Sequence, residues 1–124
     1  RTAAKGQALA EEFGGAARAL SDIEEIKNAD IIINATPVGL YPKINDTPLD
    51  KKLITKEKIV FDTFYTPYET RLLKEAKQQG AKIIQGAEML LEQAAAQFAL
   101  YTNRRAPMDA MRKILLQNLR AKEK

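Results

Sequence analysis

The feature that most constrains this chain is Ile31-Ile32-Ile33, three β-branched residues that are apolar on consecutive rather than alternating positions. A strand with one solvated face alternates apolar and polar residues, whereas an unbroken apolar run is typical of a strand covered on both faces. Strands of that kind occur in parallel sheets, whose crossover helices cover the two faces. We therefore expect an α/β domain built on a parallel sheet.

The rest of the chain alternates between extended and helical patterns. Further strands are predicted at Lys58–Asp62 and Lys82–Gln85, and a short one at Ala16–Leu20. Helices are predicted over residues 3–13, 69–79 and 87–101 and from Pro107 onward, with a brief helical turn that Ser21 caps and Glu24 supports. Strands that alternate with helices across short connections indicate right-handed crossovers and a doubly wound α/β domain.

Composition excludes several classes of chemistry. The 124 residues suffice for one domain, and the absence of Cys and His excludes disulfides, thiol catalysis, imidazole bases and most zinc sites. No apolar run reaches the roughly 18 residues of a membrane span, so we expect a cytoplasmic chain without membrane contact. The net charge of +4 is concentrated in residues 104–124, where seven Lys and Arg face Asp109 and Glu123. Without interleaved aromatic residues this indicates a solvated face rather than a nucleic-acid site.

Ligands of open α/β sheets bind at the carboxyl ends of the strands. The residues at those positions are Asn34 to Pro37, then Asp62 to Tyr65, then Gln85 and Gly86, and all three sets are polar or contain glycine. The segment Thr36–Asp50 is dense in Pro, Gly, Asn and Asp, which is typical of a long functional loop. We therefore expect a binding site along this edge of the sheet.

Three segments at these positions carry a family resemblance. They read ADIIINATPVGLYP, VFDTFYTPYET and GAEMLLEQAAAQFALYTNRRAP, in this order. Together with the opening Arg1-Thr2, which is similar to the end of an Asn-Arg-Thr motif, they resemble the C-terminal half of shikimate dehydrogenase, an NADP-dependent enzyme of aromatic amino-acid biosynthesis. The resemblance covers nearly the whole chain.

The resemblance implies a set of ligand-binding residues. Arg1 and Lys5 would bind the 2′-phosphate of NADP, because cations are needed there and these two lie one helical turn apart. The residues expected to contact the cofactor are Arg1, Thr2, Lys5, Asn34, Thr36, Thr63, Gly86 and Met89. The substrate is expected to contact Tyr65 and Gln93, whose phenol and amide suit a hydroxylated ligand.

Each of these residues also has a structural interpretation. Tyr65 suits aromatic packing at a strand end, Gly86 a helix cap, and Met89 the filling of a core. Gln93, on an Ala-rich helix, is harder to explain as packing. Glu88 stands where the family usually has glycine, and it would bring a negative charge near the nicotinamide.

The resemblance also implies what this chain lacks. The catalytic Lys and Asp of the family lie in an N-terminal substrate domain, so no catalytic or metal-binding residue is expected here. The chain is expected to be part of a Rossmann-like NADP-binding domain without its first two strands, which occupy the centre of the family's sheet. Residues 87–124 would pack back toward the substrate domain, and the remainder of the enzyme or a second copy would complete the sheet.

The function implied is the reduction of 3-dehydroshikimate to shikimate, with this chain inactive alone. Two alternatives stay open. One is a quinate/shikimate dehydrogenase that uses NAD, against which Arg1 and Lys5 argue. The other is a non-catalytic dinucleotide-binding module. A homodimer formed through exposed strand edges is a further alternative for the partner.

Overall fold

A computed structural model of the chain describes residues 3–121. The elements in chain order are α1 (Ala3–Phe13), α2 (Ile23–Asn28), β1 (Ile31–Asn34), a 3-10 turn (Lys51–Leu53), β2 (Ile59–Asp62), α3 (Arg71–Gln78), β3 (Lys82–Ile84), α4 (Gly86–Thr102) and α5 (Met108–Ala121). Among the described residues, no helix combines the length and the apolar character that crossing a membrane requires.

The strands form one parallel sheet in the order β1-β2-β3. Ile31 pairs with Ile59 and Asn34 with Asp62, while Phe61 pairs with Ile84 on the other side of β2. This confirms the predicted α/β architecture with a parallel sheet. Because the three strands run the same way, their carboxyl ends lie along one edge.

The core lies between the sheet and α3. Thr70 caps this helix, since its Oγ1 accepts a hydrogen bond from the N–H of Leu73 at 3.5 Å. The helix then turns Leu72, Leu73 and Ala76 inward, each at most 1% exposed, against Val60 of β2. One strongly amphipathic helix therefore fixes the position of β2 and β3.

A buried lysine ties α2 to the start of β2. Lys58 is 5% exposed, and its ammonium donates to the carbonyl of Lys27 at 2.7 Å and to that of Ala29. A buried cation needs such partners, and the last carbonyls of a helix supply them with the favourable dipole sign. The side chain thus satisfies the end of α2 immediately before β1.

Three local predictions are wrong. Ile31 and Ile33 are 55% and 59% exposed, so β1 is not covered on both faces. The segment 16–20 is not a strand and does not pair with the open edge of β1. Ser21 does not cap α2, which begins at Ile23 after Asp22, and Asp22 forms no side-chain cap either.

Candidate functional site

The buried carboxyl group of Asp62 connects the ends of two strands to a helix. It is fully buried at the last position of β2. Its Oδ2 accepts from Asn34 Nδ2 at 3.1 Å and from Thr70 Oγ1 at 2.8 Å, and its Oδ1 accepts from the backbone N–H of Phe64 at 3.2 Å. The ends of β1 and β2 and the start of α3 are therefore held in one geometry by side chains.

The end of β1 is fixed by a second set of hydrogen bonds. The Oδ1 of Asn34 accepts from the N–H of Thr36 at 3.1 Å and from its hydroxyl at 2.7 Å. The backbone carbonyl of Asn34 accepts from the N–H and the hydroxyl of Thr63 at 3.1 and 3.2 Å. Asn34, Thr36 and Thr63, three of the predicted cofactor-binding residues, are thus brought together at the strand ends.

The third strand end is joined to this region through Gly86. A Cβ at this position would overlap the carbonyl group of Phe64 and the carbonyl oxygen of Thr63, so only glycine allows the two backbones to approach this closely. Tyr68 Oη also donates to Gln85 Oε1 at 2.8 Å. Gly86 is the first residue of α4, where Gln85 is the cap, so close packing rather than capping requires glycine here.

Exposed side chains project from this junction. Tyr65 and Met89 are 40% and 41% exposed, and Gln93 is exposed on α4. Gly86, Met89 and Gln93 are spaced three and four residues apart and share one face of the helix. Within residues 3–121 neither the phenol of Tyr65 nor the amide of Gln93 has a hydrogen-bond partner, so both are free to bind a ligand. We use the name rim for the strand ends and these side chains together, that is, for Asn34, Thr36, Thr63, Tyr65, Gly86, Met89 and Gln93.

The predicted phosphate clamp lies only partly within the described residues. Lys5 lies exposed on α1, a helix with no buried residue, and forms no ion pair or hydrogen bond within the described part of the chain. Arg1 and Thr2 lie outside the described residues. The roles of Arg1, Thr2 and Lys5 therefore stay predictions.

Glu88 is paired rather than free. Both of its carboxylate oxygens accept from Arg112 Nη1, which joins the first turn of α4 to α5. The hydrogen bond that Arg112 donates to Glu88, together with the negative charge of Glu88, raises the pKa of Arg112, so this guanidinium stays protonated. The negative charge expected beside Met89 is thus accompanied by a positive one.

Sequence reasoning missed the partners that hold the rim. Asp62 and Thr70 were not identified as site residues, although a carboxyl group at the end of a buried strand and a threonine before a helix were the available signals. Arg112 could not be found, because a pair separated by 24 residues on two helices leaves no local pattern.

Comparisons with known proteins identify this architecture. A family model described as the Shikimate 5'-dehydrogenase C-terminal domain matches residues 86–116. Shikimate dehydrogenase (NADP(+)) of Methanopyrus kandleri is 40% identical over 97% of this chain. The chain belongs to the shikimate dehydrogenase family. It covers 45% of that relative, so it spans less than half the length of the protein it matches.

Solved structures agree with this assignment to the shikimate dehydrogenase family. Shikimate 5-dehydrogenase from Thermus thermophilus, in complex with NADP(H) and shikimate, aligns with a TM-score of 0.83 and 37% identity over 94% of this chain and 43% of its own. Quinate dehydrogenase from Corynebacterium glutamicum, in complex with NAD, aligns with a TM-score of 0.77 and 32% identity over 93% and 43%.

The side chains of the rim offer both an apolar surface and uncharged polar groups. The thioether of Met89 offers a polarisable apolar surface for a flat ring, and it is accessible rather than packed in the core. Exposed Tyr65 and Gln93 add hydrogen-bonding groups without charge. These groups can bind and orient a ligand.

Proposed function

We propose that this chain is the cofactor-binding part of an NADP-dependent oxidoreductase that reduces 3-dehydroshikimate to shikimate. The observation that carries the proposal is the convergence of the three strand ends: Gly86 packs against the backbone of Thr63 and Phe64, and Thr63 hydrogen-bonds the carbonyl of Asn34. Ligands of open α/β sheets bind at such edges. NADP, when bound, supplies the hydride.

The residues of the rim have separate tasks in this proposal. Met89 forms a wall for the nicotinamide, and Gly86 brings the backbone of α4 up to it. Asn34, Thr36 and Thr63 support the cofactor at the neighbouring strand ends, as their hydrogen bonds to one another fix the local backbone. The 2′-phosphate is assigned to Arg1 with Lys5, next to Thr2.

The substrate is assigned to Tyr65 and Gln93. Their unpaired phenol and amide can donate and accept at fixed angles, which suits the hydroxyl groups of a small ring acid. The family resemblance assigns the acid/base step to a Lys and an Asp of the N-terminal substrate domain. We therefore expect catalysis only from the complete protein, since orientation without proton transfer leaves the carbonyl unactivated.

The last two helices are proposed to pack toward the substrate domain. Between α4 and α5 lies an apolar cleft of about 540 Å³, lined by residues such as Leu90, Met111 and Ile114. Leu100 and Tyr101 at the end of α4 are 82% and 84% exposed. Large exposed apolar surface of this kind marks an interaction face.

The remainder of the enzyme would also pair with the open edge of β1, and a second copy of the chain, forming a homodimer, is the alternative partner at that edge. A cytoplasmic location belongs to this proposal.

A second candidate is an enzyme that uses NAD and quinate. The alignment with the Corynebacterium quinate dehydrogenase in complex with NAD supports it. Arg1 and Lys5 favour NADP, because two cations near a helix start serve a 2′-phosphate that NAD lacks.

The test is a steady-state assay of the complete enzyme that carries this chain. NADPH oxidation is followed with 3-dehydroshikimate, and NADP⁺ and NAD⁺ are compared with shikimate and quinate. The proposal expects saturation by NADP⁺ well below the concentration needed for NAD⁺. Preference for NAD⁺ with quinate would establish the second candidate, and cofactor binding without turnover would establish a non-catalytic module. The 124-residue chain assayed alone is expected to give no turnover.

A further inference from the structure

The ion pair between Glu88 and Arg112 lies at the turn of α4 that carries Gly86 and Met89. Arg112 Nη1 contacts both carboxylate oxygens of Glu88, although the two residues lie on different helices. Their side chains are 41% and 37% exposed, Arg112 the more, so the pair is formed at the surface rather than in the core. Exposed ion pairs contribute little to the stability of a protein, so a gain in stability does not explain why Glu88 and Arg112 are paired.

The position of the pair suggests another role. Glu88 precedes Met89 by one residue, and Met89 is the residue proposed to contact the nicotinamide. The oxidised nicotinamide ring carries a positive charge and the reduced ring is neutral, so any net charge nearby changes the affinity for the two forms unequally. A lone carboxylate would favour the oxidised form, whereas a paired one leaves the balance nearly unchanged.

We infer that Arg112 is a positioning residue that neutralises Glu88 and thereby sets the relative affinity of this site for NADP⁺ and NADPH. Its Nη1 contacts both oxygens of the Glu88 carboxylate, so the positive charge is held beside the negative one. The two other charged groups that act on Arg112 are Glu92 and Asp109, both acidic, so Arg112 is the cation in a group of three carboxylates. Its loss would leave this end of α4 and α5 negatively charged.

The size of the effect follows from Coulomb's law. Two unit charges roughly 10 Å apart, at an effective dielectric constant of about 40 to 80, change an equilibrium constant by about two- to four-fold. Because the pair is partly exposed, added salt should reduce this change.

The inference rests on the proposed function, and the experiment gives different results when the inference fails and when the proposed function fails. Dissociation constants for NADP⁺ and NADPH are measured by calorimetry with the complete enzyme, without substrate. The variants are Arg112→Met, Glu88→Gln and the double variant. The control is Lys27→Met, which removes an exposed ion pair to Glu24, formed at 2.7 Å on α2, away from the rim.

Arg112→Met is expected to shift the affinity ratio about two- to four-fold toward NADP⁺. Glu88→Gln, which leaves Arg112 unpaired, is expected to shift it toward NADPH, and the double variant should restore the wild-type ratio. A purely structural role would change both affinities by the same factor and leave the ratio constant in every variant, which would overturn the inference. Absence of any NADP binding by the wild-type enzyme would instead overturn the proposed function and this inference with it.

Discussion

Replacement of Asp62 by alanine tests the network that holds the strand ends. Asp62→Ala removes the acceptor of two buried side-chain donors, Asn34 Nδ2 and Thr70 Oγ1, and of the N–H of Phe64. A buried polar group that loses its partner costs about 1–3 kcal/mol. Asn34 keeps a weak contact to the carbonyl of Val38 at 3.4 Å, so we expect a total loss of about 2–5 kcal/mol.

The assay is native-state hydrogen exchange of the complete enzyme, read out on peptides that contain β2. A loss of about 2–5 kcal/mol corresponds to exchange of the β2 amides that is faster by about 30-fold to several thousand-fold. The control is Asp50→Ala, because Asp50 is exposed and accepts one bond from the N–H of Lys52 at 2.9 Å. Its effect should be about 1 kcal/mol and confined to the 3-10 turn. If β2 in Asp62→Ala exchanged within two-fold of the wild-type rate, the reasoning about this carboxyl group would be refuted.

Three further predictions concern the core, the backbone and the substrate. Leu73→Ala should lower the free energy of unfolding by about 2–5 kcal/mol in urea denaturation, because Leu73 is fully buried. Lys74→Ala, at an exposed position of the same helix, should change it by less than about 0.5 kcal/mol. Gly86→Ala should weaken NADP binding and lower the melting temperature, because the new Cβ would overlap the carbonyl group of Phe64. Gly6→Ala should raise the melting temperature, because its new Cβ would make an ordinary contact at 3.7 Å and alanine favours a helix. Equal changes in melting temperature for the two variants would contradict this account. Gln93→Ala should raise KM for shikimate about ten-fold or more with an unchanged Kd for NADP⁺, and the opposite pattern would reassign the residue to the cofactor.

The sequence predicted those parts of the fold that are encoded by residues close together in the chain. The consecutive apolar residues of β1 predicted a parallel strand, and the polar residues after each strand marked the edge where Asn34, Thr36 and Thr63 meet. The predicted start of α3 at residue 69 is two residues early, because Thr70 is the residue whose side chain caps the helix and Arg71 is its first residue.

The parts that failed depend on residues far apart in sequence or on neighbours that the described chain does not provide. Ile31 and Ile33 have the pattern of strand residues buried on both faces, yet both are more than half exposed, because burial depends on what packs against the second face. The segment 16–20 has enough apolar character for a strand, but it does not pair with the open edge of β1, and strand formation depends on such pairing rather than on composition alone. The contact of Arg112 with Glu88 arises from the packing of two helices, which no short motif encodes.

The most direct test of the central claim is hydrogen exchange of the complete enzyme with and without NADP⁺. If the three strand ends form the cofactor rim, NADP⁺ should slow exchange in the peptides that cover residues 34–38, 62–65 and 85–90, and NAD⁺ at the same concentration should slow it less. Protection confined to other segments, such as the cleft between α4 and α5, would contradict the account.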